Sequence, residues 1–150
     1  MSAITISVEP LSWEVLAYWI TKHPDDGPAA ILPAPIVVAR RPSGEVVGFG
    51  ALNTEHTMQL QVPVVAPLYA DNIRIGIRIG ERLEQEIAKI GEPYYLFWVN
   101  ADRNYDFIGA IDKVGACTRL WTTEANDVWY RRDIQPSELD PELMEGTHGR

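Results

Sequence analysis

The sequence predicts an α/β fold of the α+β kind, a mixed central sheet flanked by helices. Segments rich in β-branched and aromatic residues alternate with segments whose apolar residues recur every three or four positions, and helices beside strands must bury their apolar stripes against a sheet. One run, Tyr94–Val99, is continuously apolar or aromatic, as a strand buried on both faces requires. Turn residues at 41–44 and 124–127 each separate two β-rich runs, which is the signature of a hairpin. At 150 residues, with 46% hydrophobic and 23% charged, the chain has the size and composition of one folded domain.

Taken in order, Ile4–Val8 alternates β-branched with small polar residues and stops at Pro10, a short half-buried strand. Leu11, Val15, Leu16, Trp19 and Ile20 share one helical face, and that helix ends near His23, before Pro24. From His23 to Pro35 four prolines, Gly27 and the pair Asp25 and Asp26 favour a long loop. Ile36–Arg40 and Val46–Leu52 form the first hairpin. Met58–Val65 reads as a fourth strand, in which Pro63 cannot donate to a ladder and forces a bulge, an edge or a splay.

Asn72–Lys89 carries both periods, because Ile73, Ile75, Ile77 and Ile79 alternate while Ile79, Leu83, Ile87 and Ile90 follow helical spacing. Its length and the helix formers from Glu81 to Lys89 decide for helix. After the buried strand, Phe107, Ile108, Ile111 and Val114 define a helix over Tyr105–Val114, stopped by Gly115. Leu120–Thr123 and Val128–Arg131 close the sheet as a second hairpin. Residues 1–135 make one domain, and Pro136–Arg150 is an acidic, turn-rich tail.

Thirteen Lys and Arg against 21 Asp and Glu leave a formal charge of −8, a field that repels duplex nucleic acid. The beginning of the chain lacks the basic and apolar regions of an export signal, and no apolar run approaches the ~18 residues of a spanning helix. Synthesis inside a cell and no membrane contact are expected. The lone Cys117 reads as a buried structural thiol, and no metal-ligand spacing is present. Tyr94, Tyr95, Phe97 and Trp98 read as core filling rather than ligand contacts. Arg74, Arg78 and Arg82, four apart, share one helix face that starts where the helix dipole favours an anion, a phosphate site or else a solvated face of surface ion pairs.

The order of elements resembles the Gcn5-related N-acetyltransferase superfamily, and three local runs carry the resemblance. Val65, Ala66, Pro67, Leu68 and Tyr69 are similar to its strand-end V-x-P-x-Y. Asn104 followed by Gly115 is similar to its N-x-x-A…Y-x-x-x-G-F run, and Val46–Ala51 after Ser43 and Gly44 is similar to its G-x-x-V-G hairpin. The likeness spans Ile4 to about Ile134. It implies a mostly antiparallel sheet whose splayed central strands admit acetyl-coenzyme A, with Val65, Arg74, Gly76, Arg78, Gly80 and Asn104 around the cofactor. It also implies a general base before the fourth strand, where Glu55 and His56 stand.

Two departures modify what the resemblance implies. Residues 70–80 do not follow the family's glycine-spaced phosphate loop, and Asp71 stands where an anion would approach. The family's usual proton donor, a tyrosine seven residues after the asparagine, is here Ile111, and losing a positioned acid typically removes about 10² to 10⁴ of rate. Phe107–Ala116, with Gly-Ala in place of Gly-Phe, is similar to a phage subset of the superfamily associated with podovirus virions. That implies a protein of the host cytoplasm or the virion, with other virion proteins as partners and acetyl transfer weakened or lost. The competing readings are an active N-acetyltransferase, and a module that engages a host protein through its acidic surface.

Overall fold

The computed structural model describes residues 3–22, 36–52 and 61–134. Its elements run β1 (Thr5–Glu9), α1 (Trp13–Lys22), β2 (Ile36–Arg40), β3 (Val46–Leu52), β4 (Val64–Ala70), α2 (Ile73–Lys89), β5 (Tyr94–Asn100), α3 (Tyr105–Val114), β6 (Cys117–Thr122) and β7 (Asp127–Asp133). The order of strands and helices is the one expected. Seven strands form one sheet in the order β1-β2-β3-β4-β5-β7-β6. Every neighbouring pair is antiparallel except β4 and β5, which are parallel and joined through α2.

Strand alternation sends the core to both sheet faces. On one face Val15, Tyr18 and Trp19 of α1 pack on Ile36, Val38 and Phe49. On the other, Ile75, Ile79, Leu83 and Ile87 of α2 cover Val37, Ala39, Val47, Val65 and Tyr95. Beside α2, Ile108 and Ile111 of α3 cover Val99, Val128 and Tyr130. The opposite face of β5 and β7 bears an aromatic cluster, in which Trp98 lies 4.8 Å from Trp129 and Trp129 lies 5.3 Å from Trp121.

The ends of the elements follow from local chemistry. Ser12 Oγ accepts from the Val15 N–H at 3.3 Å at the start of α1, and Asn72 Oδ1 accepts from the Ile75 N–H at 2.9 Å at the start of α2. Gly115, at φ 73°, closes α3 with its N–H on the Ile111 carbonyl. Across the β1–β2 pair at the sheet edge, Arg40 holds Glu9 at 2.8 Å and Glu14 at 3.0 Å, tying β1, α1 and β2 together.

Most expected bounds shift by one or two residues, and two strands differ by more. The fourth strand is not Met58–Val65 but Val64–Ala70, with residues 53–60 outside the described chain. Pro63 heads it without interrupting it, since its carbonyl accepts from the Leu96 N–H at 2.9 Å. β6 begins at Cys117, three residues early, because a register shift between Arg119 and Trp121 absorbs the extra residue. The expected loop over 23–35 and the tail from 136 also lie outside the described residues.

Candidate functional site: a groove between parallel strands

β4 and β5 pair at only two positions, Val64 with Leu96 and Val65 with Phe97. Beyond Val65, β4 stays with β3 while β5 stays with β7, so the sheet parts toward the C-terminal ends of the two strands. A cavity of about 640 Å³ fills the opening. A register shift between Gly50 and Leu52 alters the side-chain alternation of β4. Leu68 thus joins Val65 on the α2 face, while Tyr69 packs with Trp19 and Phe49 on the α1 face.

Helix α2 presents Ile73, Gly76, Ile77, Gly80 and Glu81 to the groove. Its glycines leave a smooth wall: a Cβ on Gly76 would lie 3.6 Å from Leu68 and Ala70, and one on Gly80 3.9 Å from Leu68. At the open end, Asn72 satisfies the Ile75 N–H, which leaves the first-turn N–H groups of Ile73 and Arg74 outside the helix's own ladder. The carboxylate of Asp71 is drawn to the α1 side, where Tyr18 donates to it at 3.0 Å. Burial pushes the Tyr18 hydroxyl above its ordinary range, so it stays a donor.

The closed end is polar. Glu84, 4% exposed, accepts from Arg132 Nε at 3.2 Å and faces the Tyr95 hydroxyl at 3.5 Å. Burial, and then the charge of Glu84, raise the Tyr95 pKa; burial also raises that of the half-buried Cys117, which lines the same end. Both groups are protonated at neutral pH and neither is a ready nucleophile. On the α1 side, Asn100 Nδ2 donates to Asp127 at 3.0 Å, and both residues line the groove with Trp98. Trp19 lines it too; its Nε1–H is buried without a partner among the described residues, a state that costs about 1–3 kcal/mol.

Of the residues expected at a cofactor, Val65, Gly76, Gly80 and Asn104 line this groove together. Arg74 and Arg78 do share a helix face as their spacing requires, but both are exposed and neither is in the lining, while Arg82 pairs with Glu86 at 3.3 Å. Glu55 and His56 lie outside the described residues. Ile111 does line the groove, and Tyr105 stands outside it, 77% exposed. Three of the four residues expected only to fill the core, Tyr95, Phe97 and Trp98, form its walls, and Cys117 is not the fully buried thiol expected. Among the described residues no cluster of His, Cys, Asp and Glu could hold a metal ion, and no helix is long and apolar enough to cross a membrane.

Seven mostly antiparallel strands, a parallel β4–α2–β5 unit and a split between its strands define the fold of the GNAT-family N-acetyltransferases. No protein-family model and no curated protein sequence matches the chain. Solved structures do. A GNAT-family acetyltransferase from Staphylococcus aureus superposes with TM-score 0.63 at 9% identity, over 89% of this chain and 100% of the other. An N-acetyltransferase from the same organism gives 0.62 at 15% identity, over 87% and 99%. A GNAT-family N-acetyltransferase from Escherichia coli, in complex with CoA, gives 0.54 at 14% identity, over 94% and 87%.

Proposed function

We propose that the chain binds an acyl-coenzyme A thioester in the β4/β5 groove and that acetyl transfer from it is weakened. The observation that carries the reading is the parted parallel pair, whose facing backbone edges and glycine-smoothed wall suit a slender amide-bearing arm such as pantetheine. The donor set fits: the Ile73 and Arg74 N–H groups are available to an anionic oxygen, and Val65, Gly76, Gly80 and Asn104 line the path. When bound, the thioester supplies an activated acyl group. This chain's own residues hold and orient it and, with apolar walls at Phe97, Phe107 and Ile111, exclude water. At Ile111 they offer no proton to a departing thiolate.

Calorimetric titration with acetyl-coenzyme A tests the binding. Wild type is expected to bind in the micromolar range, and Gly80→Leu, which fills the groove, to bind at least about tenfold more weakly. No heat with wild type at millimolar ligand would overturn the reading. The similarity of Phe107–Ala116 to the phage subset supports a finer reading, a role in or around a virion among other virion proteins, where binding without fast turnover suffices. That role predicts the protein in purified virion fractions, and its absence there would remove it.

A further inference from the structure

The cavity does not end where the strands close. On the face that bears the tryptophans, the ground behind the last β4–β5 pairs is filled, since Val64, Leu96 and Trp129 pack there as a buried cluster. On the other face the groove runs on between α2 and α3, which pack on the sheet in separate clusters. This extension is an apolar trough. Ile77 of α2 and Val114 of α3 line it, 51% and 76% exposed, with Phe97 and Ile111. Exposed aliphatic side chains gathered along one groove mark a site for an apolar guest. The far end is polar: Glu84, held by Arg132, and the Tyr95 hydroxyl close it, and the Tyr95 ring lies 6.2 Å behind that of Phe97.

We infer that this trough holds the acyl chain of the thioester and selects a medium chain, of about six carbons, over acetyl. The inference rests on the thioester reading above and deepens it by naming the acyl group. An arm held along the open edges of β4 and β5 brings its sulfur to the Val65–Phe97 pair, where the sheet blocks further entry. An acetyl group there goes no deeper than Phe97 and Ile111, whereas a longer chain continues along the trough. The stretch from Phe97 to Tyr95 takes about five bonds of extended chain, at ~1.2 Å per bond. Along it the methylenes meet Ile77, Val114 and Cys117, a thiol that burial keeps protonated and that behaves as a small apolar surface. A chain that ends in a charge gains nothing, because Glu84 and Arg132 already neutralise each other.

Calorimetric titration with coenzyme A and its acetyl, hexanoyl, decanoyl and succinyl thioesters tests the assignment. A fully buried methylene is worth about fourfold in affinity, and in a trough open along one side about twofold. Hexanoyl-coenzyme A is thus expected to bind at least about tenfold tighter than the acetyl and succinyl thioesters. Decanoyl should gain little more, since its last carbons meet the ion pair. Cys117→Phe, which fills the trough, and Val114→Asp, which sets a charge beside the chain, should bring hexanoyl to within about threefold of acetyl and leave acetyl binding unchanged. Equal affinity for hexanoyl and acetyl in wild type overturns the inference. So does a succinyl thioester that binds like hexanoyl, a decanoyl thioester about tenfold tighter still, or full preference retained in both variants. Val114 faces solvent, so its variant keeps the test should Cys117→Phe not fold. Thioesters that bind without regard to chain length overturn the acyl assignment alone, and no heat with any of them overturns the thioester reading with it.

Discussion

Glu84 is the one buried charged side chain among the described residues, and Arg132 is the guanidinium that balances it. Removing one partner of such a pair leaves a charge without solvent, so Arg132→Leu is expected to lose about 3–5 kcal/mol in urea unfolding, and Glu84→Leu/Arg132→Leu to recover most of it. Equal losses in the single and double variants would show that the pair is not the cause. Ile111 gives a second test. Ile111→Tyr places a phenol on the groove wall, and if a missing acid limits transfer, the acetylation rate rises by on the order of 10²-fold. Glu9 carries a pH signature, because the hydrogen bond from Arg40 holds its carboxyl below the ordinary range. A depressed folded-state pKa contributes stability above the unfolded value and loses it as pH falls through the folded one. The stability gap between wild type and Glu9→Gln should therefore be present at neutral pH and close as acidification passes below the ordinary carboxylate range.

At the scale of elements, α2 packs on β3 where two glycines leave no room for a side chain. A Cβ on Gly48 would meet the Tyr69 carbonyl oxygen and Ile79 Cδ1, both at 2.8 Å, and one on Gly50 would meet Leu83 Cδ1 at 2.8 Å. Gly48→Ala is expected to cost about 1–3 kcal/mol by chemical denaturation, and Gly50→Ala less, since side-chain ends yield where a backbone oxygen does not. Helical spacing and a C-terminal glycine made α3 legible to the residue. In α2 the same spacing identified Ile79, Leu83 and Ile87 but took exposed Ile90 for the fourth member of the stripe instead of Ile75, and a helix on a sheet has two flanks beside its buried stripe. Periodicity does not say which flank borders a groove and which meets water, so Arg74 and Arg78 read as ligand contacts alongside Gly76 and Gly80, and of these four the glycines line the cavity. The pair Gly76 and Gly80, one turn apart, was the usable signal. The end of β4 was hidden for another reason: Pro63 and Pro67 both look like breaks, yet one heads the strand and the other lies within it.

At the scale of the whole molecule, the sheet is two blocks, β1–β4 and β5–β7–β6, that share two register pairs and are bridged by α2. A ligand wedged between them binds the folded state alone. Coenzyme A at 100 times its dissociation constant should thus raise the unfolding free energy by about 2.7 kcal/mol, seen as a thermal shift absent in Gly80→Leu. With a formal charge of −8, the protein should also take up cationic amines more slowly as salt rises, whereas neutral analogues should be indifferent. The split also means that the sheet has edges in its interior. Backbone N–H and C=O groups recognise any guest that carries peptide-like amides, and they are indifferent to which side chains surround them. Capture written in the main chain outlasts changes to the side chains that drive turnover. A lineage that exchanges its phosphate-loop glycines and its acidic tyrosine can thus fall silent as a catalyst while its receptor persists.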